Sequence, residues 1–272
     1  MPIFLDRHNM SGLTAADIAE AHRKDLEVQG RYGVRFLTYW FDQARGTGFC
    51  LIDAPDIETA MKVHDEAHGD VAKHVIEVDL SAVQAFLGRI ADPEPSPSGS
   101  VALDKALRAI MFTDIVDSTG LTARLGNERA VEMVRAHDAM VRRSLSDHQG
   151  RVVKHTGDGI MASFDDVSEA VRSSTVIQQA FENFNSASAE KLKVKIGIDV
   201  GEPVADSNDL FGTTVQMAAR LCQAADAEAI LISKAVRDGV HDRFSLRELG
   251  SRNMKGFEKP VLVYQVEWRD VA

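Results

Sequence analysis

Three features of the sequence predict an α+β chain of two domains. Apolar residues recur at strand and helix spacings in alternation along the 272 residues. One stretch, ADPEPSPSGS at 91–100, breaks that pattern with three of the seven prolines and almost nothing to bury. The chain on each side of the break is long enough to close a core of its own.

Before the break, the spacing predicts strand 2–8, helix 14–28, strand 34–42, strand 47–53, helix 56–68, strand 73–79 and a short amphipathic helix around 81–90. That βαββαβ order is a ferredoxin-like unit, expected over residues 1–90. Residues 91–104 are expected to form an extended linker. From 105 to 272 the order partly repeats. It gives strand 106–113, one long helix 119–147, a hairpin 151–155/159–164 around TGDG, helix 166–184, strand 192–201 and helix 213–224. Strands near 229–232, 243–249 and 261–268 complete a second, larger α+β domain.

With 44% hydrophobic and 26% charged residues, the composition is that of a soluble globular protein. A net charge of -10 argues against a general nucleic-acid binder, since no cationic excess exists to neutralise phosphates. No apolar run approaches the roughly 18 residues that span a bilayer. The start, MPIFLDRHNM, lacks the charged-then-apolar form of a signal peptide. A cytoplasmic protein without a membrane partner is therefore expected. The two cysteines, Cys50 and Cys222, cannot build a disulfide framework and read as small buried thiols.

Two acidic turns carry the chemistry of the second half. In LRAIMFTDIVDSTG an apolar strand runs into Asp114, and a helix opens after a polar turn. An acid at a strand exit beside helix N-terminal amides can hold a cation and a phosphate together. Asp114, Asp117 and Ser118 also read simply as helix caps. In RVVKHTGDGIMASF, Asp158 sits in a glycine-flanked turn that serves as a hairpin device in many proteins. As a pair, however, the two carboxylates supply what a two-magnesium phosphoryl-transfer site needs. Further on, NDLFGTTVQMAARL places Gln216 and Arg220 four apart, on one helix face.

On these motifs, residues 105–268 resemble the catalytic domain of class III nucleotide cyclases. FTDIVDST is similar to the family's first metal-binding turn and KHTGDG to its second. DLFGTTVQMAAR resembles its substrate and transition-state helix, and MKGFEKPVLVYQV its C-terminal phosphate-binding strand. The resemblance implies an adenylate cyclase making cyclic AMP and pyrophosphate from ATP. It implies two Mg2+ or Mn2+ ions on Asp114, Asp158 and the Ile115 carbonyl, with phosphates on the amides of Val116, Asp117, Ser118 and Thr119. Lys154 and Asp209 match the pair that reads adenine, a cationic donor and a carboxylate acceptor. Lys255 matches the triphosphate lysine, and Arg220 the arginine that stabilises charge on the α-phosphate.

Gln216 stands where the family usually has the asparagine that orients the ribose. Its extra methylene and rotatable bond raise the entropy of aligning the amide. An active enzyme and a cyclase-fold signalling module of weak or lost turnover both remain open at this residue. In the family, two catalytic domains join head to tail and share each site. A homodimer follows, because this chain carries both residue sets.

Five of the nine histidines lie within the first 74 residues: His8, His22, His64, His68 and His74. Asp6 and His8 share a strand face, and His64 and His68 share a helix face. With Asp25, Glu27 and Cys50, they offer donors suited to nickel, zinc or copper; partly exposed polar residues are the alternative. FLDRHNM, AHRKDL, GTGFCLIDAP and VHDEAHG resemble a family of small ferredoxin-like bacterial proteins, some of which bind nickel. That resemblance implies a metal-binding sensor or dimerisation domain that regulates the cyclase, with His8, His22, His64 and His68 as preferred ligands.

Overall fold

A computed structural model describes residues 1–72, 74–92, 104–202 and 212–269 of the chain. Most of the expected linker, 93–103, and Asp209 lie outside the described residues. The chain forms two compact units, one built on Met1–Leu107 and the other on Arg108–Gly201 and the chain from Thr213 onward. The architecture is mixed α+β, as the residue spacing predicts. Among the described residues no helix is long and apolar enough to cross a membrane.

The first unit runs β1 (Ile3–Asn9), α1 (Ala15–Val28), β2 (Arg35–Asp42), β3 (Thr47–Asp53), α2 (Ile57–Ala67), β4 (His74–Val78) and α3 (Leu80–Leu87). Its sheet is antiparallel in the order β2-β3-β1-β4, the ferredoxin-like arrangement. Thr14 opens α1 with a capping box: its hydroxyl takes the Asp17 amide, and the Asp17 carboxylate returns to the Thr14 amide. Asp56 caps α2 and Asp79 caps α3. Gly88 ends α3 in the left-handed conformation at φ 86°. Phe4, Phe36, Cys50, Ile52, Ala60 and Val63 close the core between sheet and helices.

The second unit begins with β5 (Arg108–Ile115), α4 (Ser118–Leu125), α5 (Asn127–Asp147), β6 (Arg151–His155), β7 (Ile160–Phe164), α6 (Val167–Ala187) and β8 (Val194–Gly201). It continues with α7 (Gly212–Ala224), β9 (Ile230–Ser233), α8 (Lys234–Val240), β10 (Leu246–Arg252) and β11 (Val261–Val266). Among the described residues, seven strands order as β10-β11-β9-β8-β5-β7-β6, with β8 and β9 the parallel pair. Within it, β8-β5-β7-β6 repeats the strand order of the first unit.

The expected single helix 119–147 is two helices. Gly126 separates them at φ 78°, ψ 165°, an extended left-handed backbone that a helix cannot contain. The short α8 was not anticipated: its seven residues are too few to show a period, although Ser233 caps it through the Val236 amide. The strand expected at 243–249 lies three residues later, at Leu246–Arg252.

Close packing of α7 on β8 requires Gly197. A Cβ there would lie 2.1 Å from the Cys222 nitrogen and 2.4 Å from the Ala218 carbonyl oxygen. Backbone on both sides has nowhere to move. Gly197→Ala is therefore expected to destabilise the second unit by about 2 kcal/mol or more, read as a lowered urea midpoint.

Candidate functional site

The two acidic turns of the second unit are brought together by the β5–β7 ladder. Phe112 pairs with Met161 at the end of that ladder, and just beyond it Thr113 approaches both Ile160 and Gly159. The Thr113 hydroxyl oxygen accepts the Ile160 amide at 3.1 Å. Gly159 is needed here, because a Cβ would fall 2.0 Å from the Thr113 carbonyl oxygen. That contact sets Asp158, the preceding residue, beside the end of β5. Behind it, Thr113 Oγ1 lies 3.2 Å from Nε2 of the fully buried His137. Since Thr113 accepts from Ile160, its O–H is free to donate to His137. Burial holds the His137 imidazole below its usual range, which suits this neutral acceptor role. No sequence pattern marked His137; it reads as one more position on the apolar face of α5.

Asp114 is paired across the β5–β8 register with Lys195, whose Nζ lies 2.9 Å from Asp114 Oδ2. Ile115 ends the strand, buried, opposite Val194. The Val116 amide donates to the Lys193 carbonyl at 2.9 Å, so in this structure it is spent on the sheet. Asp117 takes up the left-handed conformation, φ 53°, and its carboxylate accepts the Gly120 amide. The Leu121 amide goes to the Asp117 carbonyl. Ser118 and Thr119 precede the first intrahelical donor, the Leu121 amide, so their amides are the ones that a helix start offers to an anion. Lys154 is exposed on β6, next to a register shift after Val152.

On α7, Thr214, Val215, Met217, Ala218, Leu221 and Cys222 are buried. The Cys222 thiol donates to the Lys195 carbonyl at 3.4 Å, so this face looks toward the strand beside Asp114. At 100° per residue, Gln216 and Arg220 lie roughly 160° from Ala218 on either side. They share the opposite, outward face. There the Arg220 Nε–H donates to the Lys255 carbonyl at 3.1 Å, and a second guanidinium N–H donates to Gln223 at 2.6 Å. Arg220 and Lys255 are thus brought together, on the face of α7 opposite the one that packs on β8.

A second cluster fills the first unit. Asp6 and His8 point from β1 to the helix side, where Cys50 of β3 and His64 of α2 meet them. Their donor atoms lie within 4.8 Å of one another, all buried. His64 Nε2 is 2.9 Å from Asp6 Oδ2, and its Nδ1 is 3.1 Å from Asp25 Oδ1 and 3.2 Å from His68 Nε2. Asp6 Oδ1 accepts the Cys50 amide at 2.8 Å. His8 Nε2 sits 3.2 Å from Asp6 Oδ2. Neither buried ring nitrogen of His8 has an aligned hydrogen-bond partner. Buried nitrogens without partners, beside a thiol and carboxylates, fit a transition metal such as nickel.

His8, His64 and His68 thus converge. His22 instead places Nε2 3.0 Å from Asp92 and stacks by Tyr39. Glu27 is taken by Arg23 on the surface. Asp6, Asp25 and Cys50, three of the accessory donors that the sequence offered, do lie in the cluster.

Burial opposes charge throughout this cluster, but opposite charges outweigh it. The His8 and His64 imidazoles hold the Asp6 carboxyl below its usual range. Asp6 and Cys50 push His8 up to about 10. Asp25 and Asp6 raise His64, and His64 and His68 in turn lower Asp25.

The model of the adenylate and guanylate cyclase catalytic domain matches residues 105–268, and that of the nickel responsive protein SCO4226-like family matches residues 4–78. A putative adenylate cyclase of Rhizobium meliloti is 28% identical over 175 residues, 63% of this chain and 30% of that protein. An adenylate cyclase of Streptomyces coelicolor is 29% identical over 127 residues, 47% of this chain and 32% of that protein. The chain thus spans about a third of the length of these curated relatives. Among solved structures, the adenylyl cyclase CyaB from P. aeruginosa aligns with a TM-score of 0.53 at 24% identity, covering 59% of this chain and 93% of that one. An adenylate/guanylate cyclase/hydrolase from Silicibacter pomeroyi aligns at 0.50 and 28%, covering 59% and 95%.

The histidine pairing has a pH signature. A histidine whose folded pKa is raised from 6.5 to about 10 contributes stability in full below about 6.5 and loses it as pH rises through about 10. The depressed Asp6 and Asp25 lose their contribution only below the ordinary carboxylate range. In chelator-treated protein, the melting temperature of the first unit is expected to fall as pH is raised from 6.5 toward 10. A flat profile over that range contradicts the pairing.

Proposed function

The chain belongs to the adenylate and guanylate cyclase catalytic-domain family, and from that premise we propose that it converts ATP to 3′,5′-cyclic AMP and pyrophosphate at sites shared between two copies. The ribose 3′-oxygen attacks the α-phosphorus, the bond to the β-phosphate oxygen breaks, and the hydroxyl proton leaves to solvent. Asp114, Asp158 and the Ile115 carbonyl are the oxygen donors that would hold two Mg2+ or Mn2+ ions. When bound, these ions lower the pKa of the 3′-hydroxyl and offset charge on the departing pyrophosphate. The amides of Asp117, Ser118 and Thr119 receive phosphate oxygens; that of Val116, bonded to the Lys193 carbonyl, joins them only if the turn opens. Lys154 and Asp209 offer the donor and acceptor that suit adenine, which favours ATP over GTP.

The observation that carries this reading is the division of labour on α7. Arg220 and Gln216 face away from their own chain's carboxylates, beside Lys255. A second copy, related head to tail, puts them opposite the first copy's Asp114 and Asp158. Arg220 then stabilises charge on the α-phosphate, Gln216 positions the ribose and Lys255 binds the triphosphate.

In the first unit, we propose that Asp6, His8, Cys50 and His64 bind nickel or another transition metal, with His68 and Asp25 beside them, and that this regulates turnover. Matching of the nickel-responsive family model to the same residues supports it.

With Mn2+, the purified chain is expected to form cyclic AMP from ATP, with GTP a poor substrate, and Asp114→Ala should lower the rate at least a hundredfold. Absence of cyclic nucleotide from either substrate would return the reading to a signalling module. Gln216→Asn separates a slowed site from a rebuilt one: a rise in kcat shows that glutamine is a handicap, and a fall shows that the site is built around it. Nickel content by elemental analysis is expected to drop in His64→Ala. Unchanged content removes the sensor reading.

A further inference from the structure

Lys195 has no part in the reading above, yet it makes a close charged contact with Asp114 of the metal-binding strand. It stands directly across the β5–β8 ladder from Asp114, with Nζ 2.9 Å from Asp114 Oδ2. Side-chain exposure is 22% for the lysine and 35% for the aspartate, so solvent screens the pair only in part. The backbone of Lys195 is fixed as well, since its carbonyl accepts the buried Cys222 thiol of α7. Around it lie the Asp158 carboxylate, the Cys222 thiol and His137. The Cys222 thiol is pushed up to about 12 by burial and stays protonated. Burial likewise keeps His137, behind Thr113, neutral.

We propose that Lys195 is a built-in counter-ion of the metal site. It is a positioning residue that holds Asp114 in place and that a divalent cation must displace from the carboxylate. This rests on Asp114 being a metal ligand. An ammonium and a divalent ion cannot share one carboxylate oxygen without strong repulsion, so each ion that binds does so against the lysine. The four-carbon stem lets Lys195 swing aside without moving the strand. Metal affinity is thereby lowered, most of all before nucleotide phosphates bring further negative charge.

The test is a Mn2+ titration of the full chain, read by electron paramagnetic resonance, with and without a non-cyclisable α,β-methylene analogue of ATP. Lys195→Met keeps the stem and removes the charge, and is expected to bind Mn2+ about two- to fivefold more tightly without nucleotide, the range of a partly exposed ion pair. Lys195→Arg should keep the wild-type affinity. Circular dichroism melting confirms that each variant is folded. If Asp114→Ala leaves Mn2+ binding unchanged, the metal-site reading falls and this proposal with it. If Asp114→Ala abolishes binding but Lys195→Met matches or weakens the wild-type affinity, the counter-ion role alone is overturned. Loss of affinity for the nucleotide analogue in Lys195→Met, with metal affinity unchanged, would also overturn it by making the lysine a phosphate ligand.

Discussion

The approach of Gly159 to the Thr113 carbonyl is the constraint on which the catalytic half depends. It lets β7 begin directly against the last turn of β5, and so sets two carboxylate-bearing turns side by side. Thr113 fastens the arrangement from behind by joining the Ile160 amide to the buried His137. Asp138 extends the chain, with one carboxylate oxygen 3.1 Å from His137 Nδ1 and the other 3.5 Å from His155 Nδ1 on the hairpin strand. Two carboxylates at such close range repel each other. Lys195, paired with Asp114, offsets part of that repulsion.

Both units use one strand plan, in the orders β2-β3-β1-β4 and β6-β7-β5-β8, and put their chemistry in different places on it. In the first, Asp6, His8 and Cys50 occupy the helix-covered face of the sheet. His64 closes over them from α2, giving a buried, water-poor cluster. In the second, that face is filled by aliphatic side chains such as Met111, Ile196 and Ile198, and the polar groups move to strand ends and turns. A buried cluster suits retention of a soft or borderline metal, and an open turn suits a substrate that must enter and leave.

Much of this was legible in the sequence, for identifiable reasons. Strand alternation and the capping residues Thr14, Asp56 and Asp79 mark the elements, and the four-residue spacing of His64 and His68 puts them on one face. The motif order gave the family over residues 105–268. The break at Gly126 stayed hidden because a lone glycine is tolerated inside a helical pattern, although the buried positions change phase across it, from Leu121 in α4 to Ala130, Met133, His137 and Val141 in α5. His22 shares the composition of its neighbours, but its partner Asp92 lies 70 residues away, a pairing that local spacing cannot encode. His137 and Lys195 were silent for the same reason: each acquires its role only through a cross-strand or helix–sheet contact.

The central claim is that one chain cannot complete its own active site, because α7 turns Arg220 away from Asp114. Mixing two inactive variants of the full chain, Asp114→Ala and Arg220→Ala, tests it most directly. Random reassortment makes about half of the dimers mixed, each with one intact site of two, so cyclic AMP formation should recover to about a quarter of the wild-type rate. A mixture no more active than either variant alone would contradict the shared site.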